Sequence, residues 1–191
     1  MPAEQYDLTF VDERQMTPAL DAAIRALLCE CHPDLVEPLS RSRYWHGSVP
    51  AYSFFHQEGD RVLGHVGVVL REIRCDGRPV MIAGVQNLAV TPRLRGKGLS
   101  RQLMREAAAE AARRKIRFGM LFCVPGLERF YNSLDWFRIE ARITMRDEIG
   151  QPAPTTDENI TMVTELARRP CGGPSGERFV AQEVDLQGPD W

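Results

Sequence analysis

Apolar and polar residues alternate over residues 6–12 (YDLTFVD), the period-two pattern of a strand with one covered face. The period changes at Thr17. Threonine is a favoured N-cap and Pro18 suits the first helical position, and Leu20, Ile24, Leu27 and Leu28 then recur at helical spacing until Pro33. Residues 33–50 mix prolines and aromatics without a period and predict a loop with one short helix. Residues 51–90 hold β-rich runs separated by Glu58-Gly59-Asp60 and by Asp76-Gly77, a pair that tolerates the positive φ of a tight hairpin. They predict an antiparallel meander whose last strand is residues 85–90. Residues 99–115 return to helical spacing, with Leu99, Leu103, Met104, Ala107, Ala108 and Ala111 on one face and Glu110 at salt-bridge spacing from Arg113 and Arg114. The apolar run 116–124 predicts a central, covered strand. A short helix at 126–134 follows, then strands over 136–147, 160–166 and 179–186, with loops at 150–159 and 168–177. The elements describe a mixed α/β chain.

Composition narrows the picture. A chain of 191 residues that is 43% hydrophobic can bury one core, so a single domain over residues 1–191 is expected. A formal net charge of -2 gives no global attraction for nucleic acid or an anionic membrane, and anion binding must be local. No apolar run approaches the roughly 20 residues of a membrane span, and the first residues lack a basic segment followed by an apolar one, so the expected location is the cytoplasm. Five cysteines without regular spacing suggest no disulfide framework. Cys29, Cys31 and His32 could begin a zinc site, but no second cluster completes four ligands, and no metal is expected.

The chemistry concentrates after the meander, where Thr91-Pro92 leads into RLRGKGLS and a helix. A helix N-terminus offers unpaired N–H groups and a positive dipole end, and Gly96 and Gly98 let the backbone approach an anion. The stretch is either a cationic surface turn or a phosphate cradle. It is not a P-loop, since Thr91 stands where the first glycine belongs and Gly98 follows Lys97. Arg101 replaces the third glycine of a dinucleotide fingerprint.

Arg93-x-x-Gly96-x-Gly98 between strand and helix, followed by an apolar strand and by FYNSLDWF, resembles the GNAT superfamily of acyl-CoA-dependent N-acyltransferases. That family carries Gln/Arg-x-x-Gly-x-Gly/Ala, then an aromatic-Tyr pair, here Phe130-Tyr131, before a Gly-Phe step that is Asp135-Trp136 in this chain. The resemblance implies a GNAT fold with a mostly antiparallel sheet of about seven strands flanked by helices and split between residues 85–90 and 116–123. It implies that backbone amides of Leu94, Arg95, Gly96, Lys97, Gly98, Leu99 and Ser100 surround the pyrophosphate of acetyl-CoA, with charge added by Arg93, Arg95, Lys97 and Arg101. Leu88, Ala89 and Val90 would pair with pantetheine, the Leu88 amide would bind the oxyanion, and Tyr131 would protonate the departing thiolate. Cys123 would face the cofactor gap.

Two departures stand out. Gln86 occupies the place of a glutamate that many relatives use as a base, and an amide cannot take that role; a water chain ordered by Gln86 and Asn87, or a carboxylate from elsewhere, is left. Val124 stands where relatives often place a pantetheine-binding asparagine. Within the superfamily the chain is most similar to aminoglycoside 2'-N-acetyltransferases, and more weakly to rhizobial nodulation N-acyltransferases, in VQNLAV, FYNSLDW, the Pro-Thr-Asp connector and the acidic residue and tryptophan at 190–191. The likeness implies Asp190 and Trp191 as contacts for a cationic amine, with Trp45 and His46 as further candidates. The expected reaction moves an acetyl group from acetyl-CoA to a primary amine of a small molecule, amino sugar or aminoglycoside-like, by direct attack in a ternary complex. A longer acyl donor is the alternative within the class. An acyl-CoA-binding sensor without turnover is the alternative outside it, suggested by Gln86 and Val124 and opposed by Tyr131. Edge strands near residue 180 would allow a homodimer.

Overall fold

A computed structural model describes residues 5–44, 47–146, 150–154, 158–166 and 179–191. The chain forms two compact units: Met1–Trp45, Val49–Val69 and Gln86–Ala107 make the first, and His46–Ser48, Leu70–Val85 and Ala108–Trp191 the second.

The first unit begins with β1 (Thr9–Asp12) and α1 (Pro18–Cys31), whose start follows the local rule: the Thr17 side chain accepts the Leu20 N–H at 3.2 Å, and Pro18 takes the first position. α2 (Val36–Arg41) is the expected short helix of the irregular segment, preceded by a 3-10 turn over Pro33–Leu35. β2 (Tyr52–Glu58) pairs antiparallel with β1 and with the first part of β3 (Arg61–Cys75). Val11, Ile24, Leu27, Leu28, Leu39, Phe55, Val62 and Ala89 form its core, so the helical and strand periods found in the sequence face one another. The unit also holds the end of β4 (Arg78–Val90) and the start of α3 (Leu99–Arg113).

In the second unit, β3 and β4 meet at the expected hairpin, with φ of 47° at Asp76 and 78° at Gly77. β4 then runs parallel to β5 (Phe118–Cys123) from Ile82↔Phe118 to Gly84↔Met120, while β9 (Ile160–Glu165) stays antiparallel to β5 through Cys123. The expected split thus begins after Gly84 and Met120. α4 (Glu128–Asn132) follows β5. Glu110 bonds Arg113 at 2.8 Å and Arg114 at 2.7 Å, as its spacing predicts. The helix ends at Arg113, two residues short of expectation, and Lys115 turns the chain at φ 63°.

The described residues hold ten strands rather than about seven, in the order β6-β9-β5-β4-β3-β10-β7-β8, with β2 on β3 and β1 on β2. The expected strand over 136–147 divides into β6 (Phe137–Ile139), which pairs with β9, and β7 (Arg142–Arg146), which pairs with β8 and β10; the break is needed because the two halves serve different neighbours. Residues expected to loop form β8 (Pro152–Pro154), which β7 recruits, and the last expected strand shortens to β10 (Glu183–Asp185). The expected loop 168–177 lies outside the described residues. Among the described residues no helix is long and apolar enough to cross a membrane.

Candidate active site

The glycine loop is built by short backbone turns. Residues Pro92–Leu94 form one 3-10 turn, and the N–H groups of Leu94, Arg95 and Lys97 close on Thr91, Pro92 and Leu94 carbonyls at 3.0, 3.2 and 3.4 Å. Gly96 and Gly98 then take φ of 76° and 97°, a region that side chains other than asparagine and aspartate resist, and α3 begins at the next residue. The Leu99 and Ser100 N–H groups stand in the first helical turn, where the helix has no acceptor for them. Of the seven expected phosphate-binding amides, those of Leu94, Arg95 and Lys97 are spent on shaping the loop, while Gly96, Gly98, Leu99 and Ser100 lie at its glycines and at the start of α3. Buried Leu94 and Leu99 anchor it. The cations are partly engaged: Arg93 pairs with Glu58 at 2.8 Å, holding that carboxyl below its ordinary range, and the Arg95 Nε donates to the Val90 carbonyl at 3.2 Å. Lys97 is exposed.

The strand before the loop contains its own irregularity. Asn87 lies inside β4 with φ of 52°. Its side-chain Nδ2 donates to the Arg43 carbonyl at 2.7 Å, and its backbone carbonyl lies 3.1 Å from the Nδ1 of His65. A carbonyl only accepts, so Nδ1 carries the hydrogen, and the Nε2 of His65, 3.2 Å from the Ser53 hydroxyl, accepts from it. His65 is fully buried. Burial pushes its pKa down to about 4, against the bond to Asn87 and with help from the Arg43 charge, so the ring is neutral at pH 7. Arg43 is itself buried at 1% exposure; its Nε donates to Asp21 at 2.9 Å, its Nη2 binds Glu13, and its buried Nη1 has no partner among the described residues. Of the pair expected to order a water chain, Asn87 already spends one side-chain N–H on the Arg43 carbonyl. Gln86 is buried, with Oε1 3.5 Å from Asn87 Nδ2. Leu88 is half-buried, and Ala89 and Val90 are buried. The Cys31 thiol donates to the Val90 carbonyl at 3.4 Å, and among the described residues no three His, Cys, Asp or Glu groups stand together as metal ligands.

In the second unit Tyr131 sits on α4 with its ring edge-on to Phe130 and Trp136, centroids 5.0 and 6.3 Å away. Burial, then the neighbouring Cys123, hold its hydroxyl well above the ordinary tyrosine pKa, so the proton stays on the oxygen. Burial and next the Glu128 carboxylate push the Cys123 thiol up to about 11, which keeps it an inert core thiol. Asp135 explains why the Gly-Phe step reads Asp-Trp: the position has φ of 63°, which aspartate tolerates, and its carbonyl accepts the Thr164 hydroxyl at 2.9 Å.

Asp190 and Trp191 are held in place. The Ser48 hydroxyl donates to the Asp190 carbonyl at 2.6 Å and lies 3.1 Å from that of Pro189, while Arg71 binds both Ser48 and Pro189. The Trp191 ring is buried between Gly84, Phe122 and the Arg71 guanidinium, and its buried Nε1 has no partner among the described residues. Trp45 and His46 lie outside the described residues. The residues the sequence reading missed are His65, Ser53 and Arg43; a histidine between two glycines of an apolar strand (GHVG) was the available signal.

Residues 14–139 match the family model described as an acetyltransferase (GNAT) domain. Nodulation protein A of Bradyrhizobium sp. (strain ANU 289) is 26% identical over 162 residues, 81% of this chain and 75% of that protein. Among solved structures, the GNAT family N-acetyltransferase YhbS of Escherichia coli in complex with CoA is similar at a TM-score of 0.62 and 18% identity, over 96% of this chain and 91% of that one. An aminoglycoside 6'-N-acetyltransferase complexed with coenzyme A is similar at a TM-score of 0.57 and 13% identity, over 85% and 99%. These structural likenesses establish the fold.

Proposed function

The chain belongs to the GNAT acetyltransferase family, and on that premise we propose that it moves an acetyl group from acetyl-CoA to a primary amine of a small molecule. The observation that carries this reading is the glycine loop: two glycines at positive φ lead directly into the first turn of α3, presenting Gly96, Gly98, Leu99 and Ser100 amides to a pyrophosphate. Residues 1–191 act as one catalytic domain.

In this reading the neutral amine nitrogen attacks the thioester carbon, forming the C–N bond, while the Leu88 N–H stabilises the negative oxygen. The ammonium proton leaves to water, because Gln86 has no basic lone pair to take it. Collapse breaks the C–S bond and the thiolate takes the Tyr131 proton, which solvent replaces. A protonated Cys123 supports direct transfer over a cysteine-bound intermediate. The acceptor is an amino sugar or aminoglycoside-like amine, a choice resting on the sequence likeness. Asp190 supports it less than its charge suggests, because Arg71 stands in its field and offsets its pull on a cation. The enzyme is cytoplasmic by its cysteine pattern, and a homodimer is an outcome for sizing to decide.

The test is release of CoA thiol from acetyl-CoA and from longer acyl-CoAs, scanned over amino sugars, aminoglycosides, polyamines and amino acids. Turnover with one amine class, reduced about tenfold or more in Tyr131→Phe, is the expected result. Binding of acetyl-CoA with no thiol release from any amine would leave the sensor reading standing instead, and turnover confined to long acyl chains would replace the donor.

A further inference from the structure

We propose that His65 is a positioning residue for acyl transfer: by holding the Asn87 carbonyl it aims the Leu88 N–H, the group assigned above to the oxyanion. The inference rests on that assignment and adds a residue to it.

The Asn87 carbonyl and the Leu88 N–H are the two ends of one peptide unit, which is planar and trans, so the two groups point in opposite directions. His65 Nδ1 grips the oxygen at 3.1 Å. The N–H at the other end must therefore point away from His65, and it cannot swing without breaking that bond. The plane needs such a hold because Asn87 has φ of 52°, a conformation rare inside a strand and one that persists only where its surroundings over-determine it. Two bonds do so: His65 on the backbone oxygen, and the Arg43 carbonyl on the side-chain Nδ2 at 2.7 Å. Each partner is fixed in turn. The Asn87 carbonyl sets the His65 tautomer, Ser53 donates to the Nε2 that this leaves as acceptor, and Arg43 is tied to Asp21 and Glu13.

The same bond has an electronic effect. A donor on the carbonyl polarises the amide and makes its N–H a stronger donor. His65 is no candidate for the missing base, because both ring nitrogens are engaged and the side chain has no exposed surface.

The experiment compares His65→Leu, which removes the donor, with His65→Asn, whose amide nitrogen can occupy the Nδ1 position, and with Ser53→Ala. Three quantities are read: kcat, the dissociation constant for CoA, and the amide proton shift of Leu88 in protein labelled with 15N-leucine. We expect kcat of His65→Leu to fall about tenfold to a hundredfold, less than the roughly hundredfold to thousandfold loss on removing an oxyanion donor outright, because the N–H is misaimed and not deleted, with CoA affinity kept within about threefold. The Leu88 amide proton moves upfield in His65→Leu and returns toward its native position in His65→Asn, which also recovers most of kcat; Ser53→Ala falls between. A merely structural histidine would lower kcat, CoA affinity and melting temperature together, and that pattern overturns the proposal, as does an unmoved Leu88 resonance. If His65→Leu does not fold, Ser53→Ala and His65→Asn carry the same comparison. Absence of turnover in the native protein sinks the transferase reading, and the positioning role with it, while the Leu88 resonance still reports whether His65 holds the peptide.

Discussion

Trp191 covers Gly84 so closely that a Cβ on the glycine would stand 2.3 Å from the indole Cε2. Gly84 is registered with Met120 in the parallel ladder, so the backbone has little room to yield, and the ring must leave. Gly84→Ala is expected to cost about 1–3 kcal/mol through overpacking. Trp191→Ala made in the same chain should remove most of that added cost. Urea unfolding of the two single variants and the double variant measures the non-additivity; additive losses would mean that the ring and the glycine do not share a site.

Stability should fall as the pH drops from about 6.5 to about 4, because His65 binds its proton in the unfolded chain near 6.5 and in the folded one only near 4. In that window the unfolded state holds the extra proton, so acid favours unfolding, at up to about 1.4 kcal/mol per pH unit from this residue. His65→Asn should flatten the upper part of the profile, above the range where carboxylates titrate. Denaturant midpoints taken at half-unit steps give the comparison.

Arg43→Met should destabilise the protein by about 2–4 kcal/mol, since it leaves Glu13 and Asp21 facing a buried site without their cation. Their partial exposure keeps the cost below that of a fully buried pair. Arg43→Lys should recover little, because one ammonium cannot reproduce the fork that reaches both carboxylates. Unfolding in low and high salt separates this ion cluster from packing loss.

Tyr131→Phe should leave the melting temperature nearly unchanged while lowering kcat. The ring contacts to Phe130 and Trp136 survive the substitution, and only the hydroxyl is lost. A drop of more than about 1 kcal/mol in stability would assign the tyrosine to packing and weaken its role as the acid.

Features set by neighbouring residues were legible in the sequence. Thr17 and Pro18 start a helix, Asp76 and Gly77 turn a hairpin, and Gly96 and Gly98 open a loop, because each acts within a few residues of itself. The hold on the Leu88 peptide was not legible. Its partners come from 22 and 44 residues away, and nothing in the local pattern around His65 or Arg43 marks them as neighbours of Asn87. The division of residues 136–147 into two strands was hidden for a similar reason: a strand's period shows which face is covered but not which partner covers it. The positive φ at Asn87 and Asp135 was masked by side chains that only tolerate that conformation, where glycine would have announced it.

The place of β10 has a consequence for how the molecule is made. It is antiparallel to β3 at Cys75↔Val184 and parallel to β7 at Ile143↔Val184, and the Asp76 carboxylate accepts the Glu183 N–H from 107 residues away. On the ribosome, therefore, these two edges stay unpaired until residues 183–185 emerge, and the sheet closes late through a long loop. A chain stalled short of that point carries two open strand edges, the form most exposed to misassociation and most in need of a chaperone.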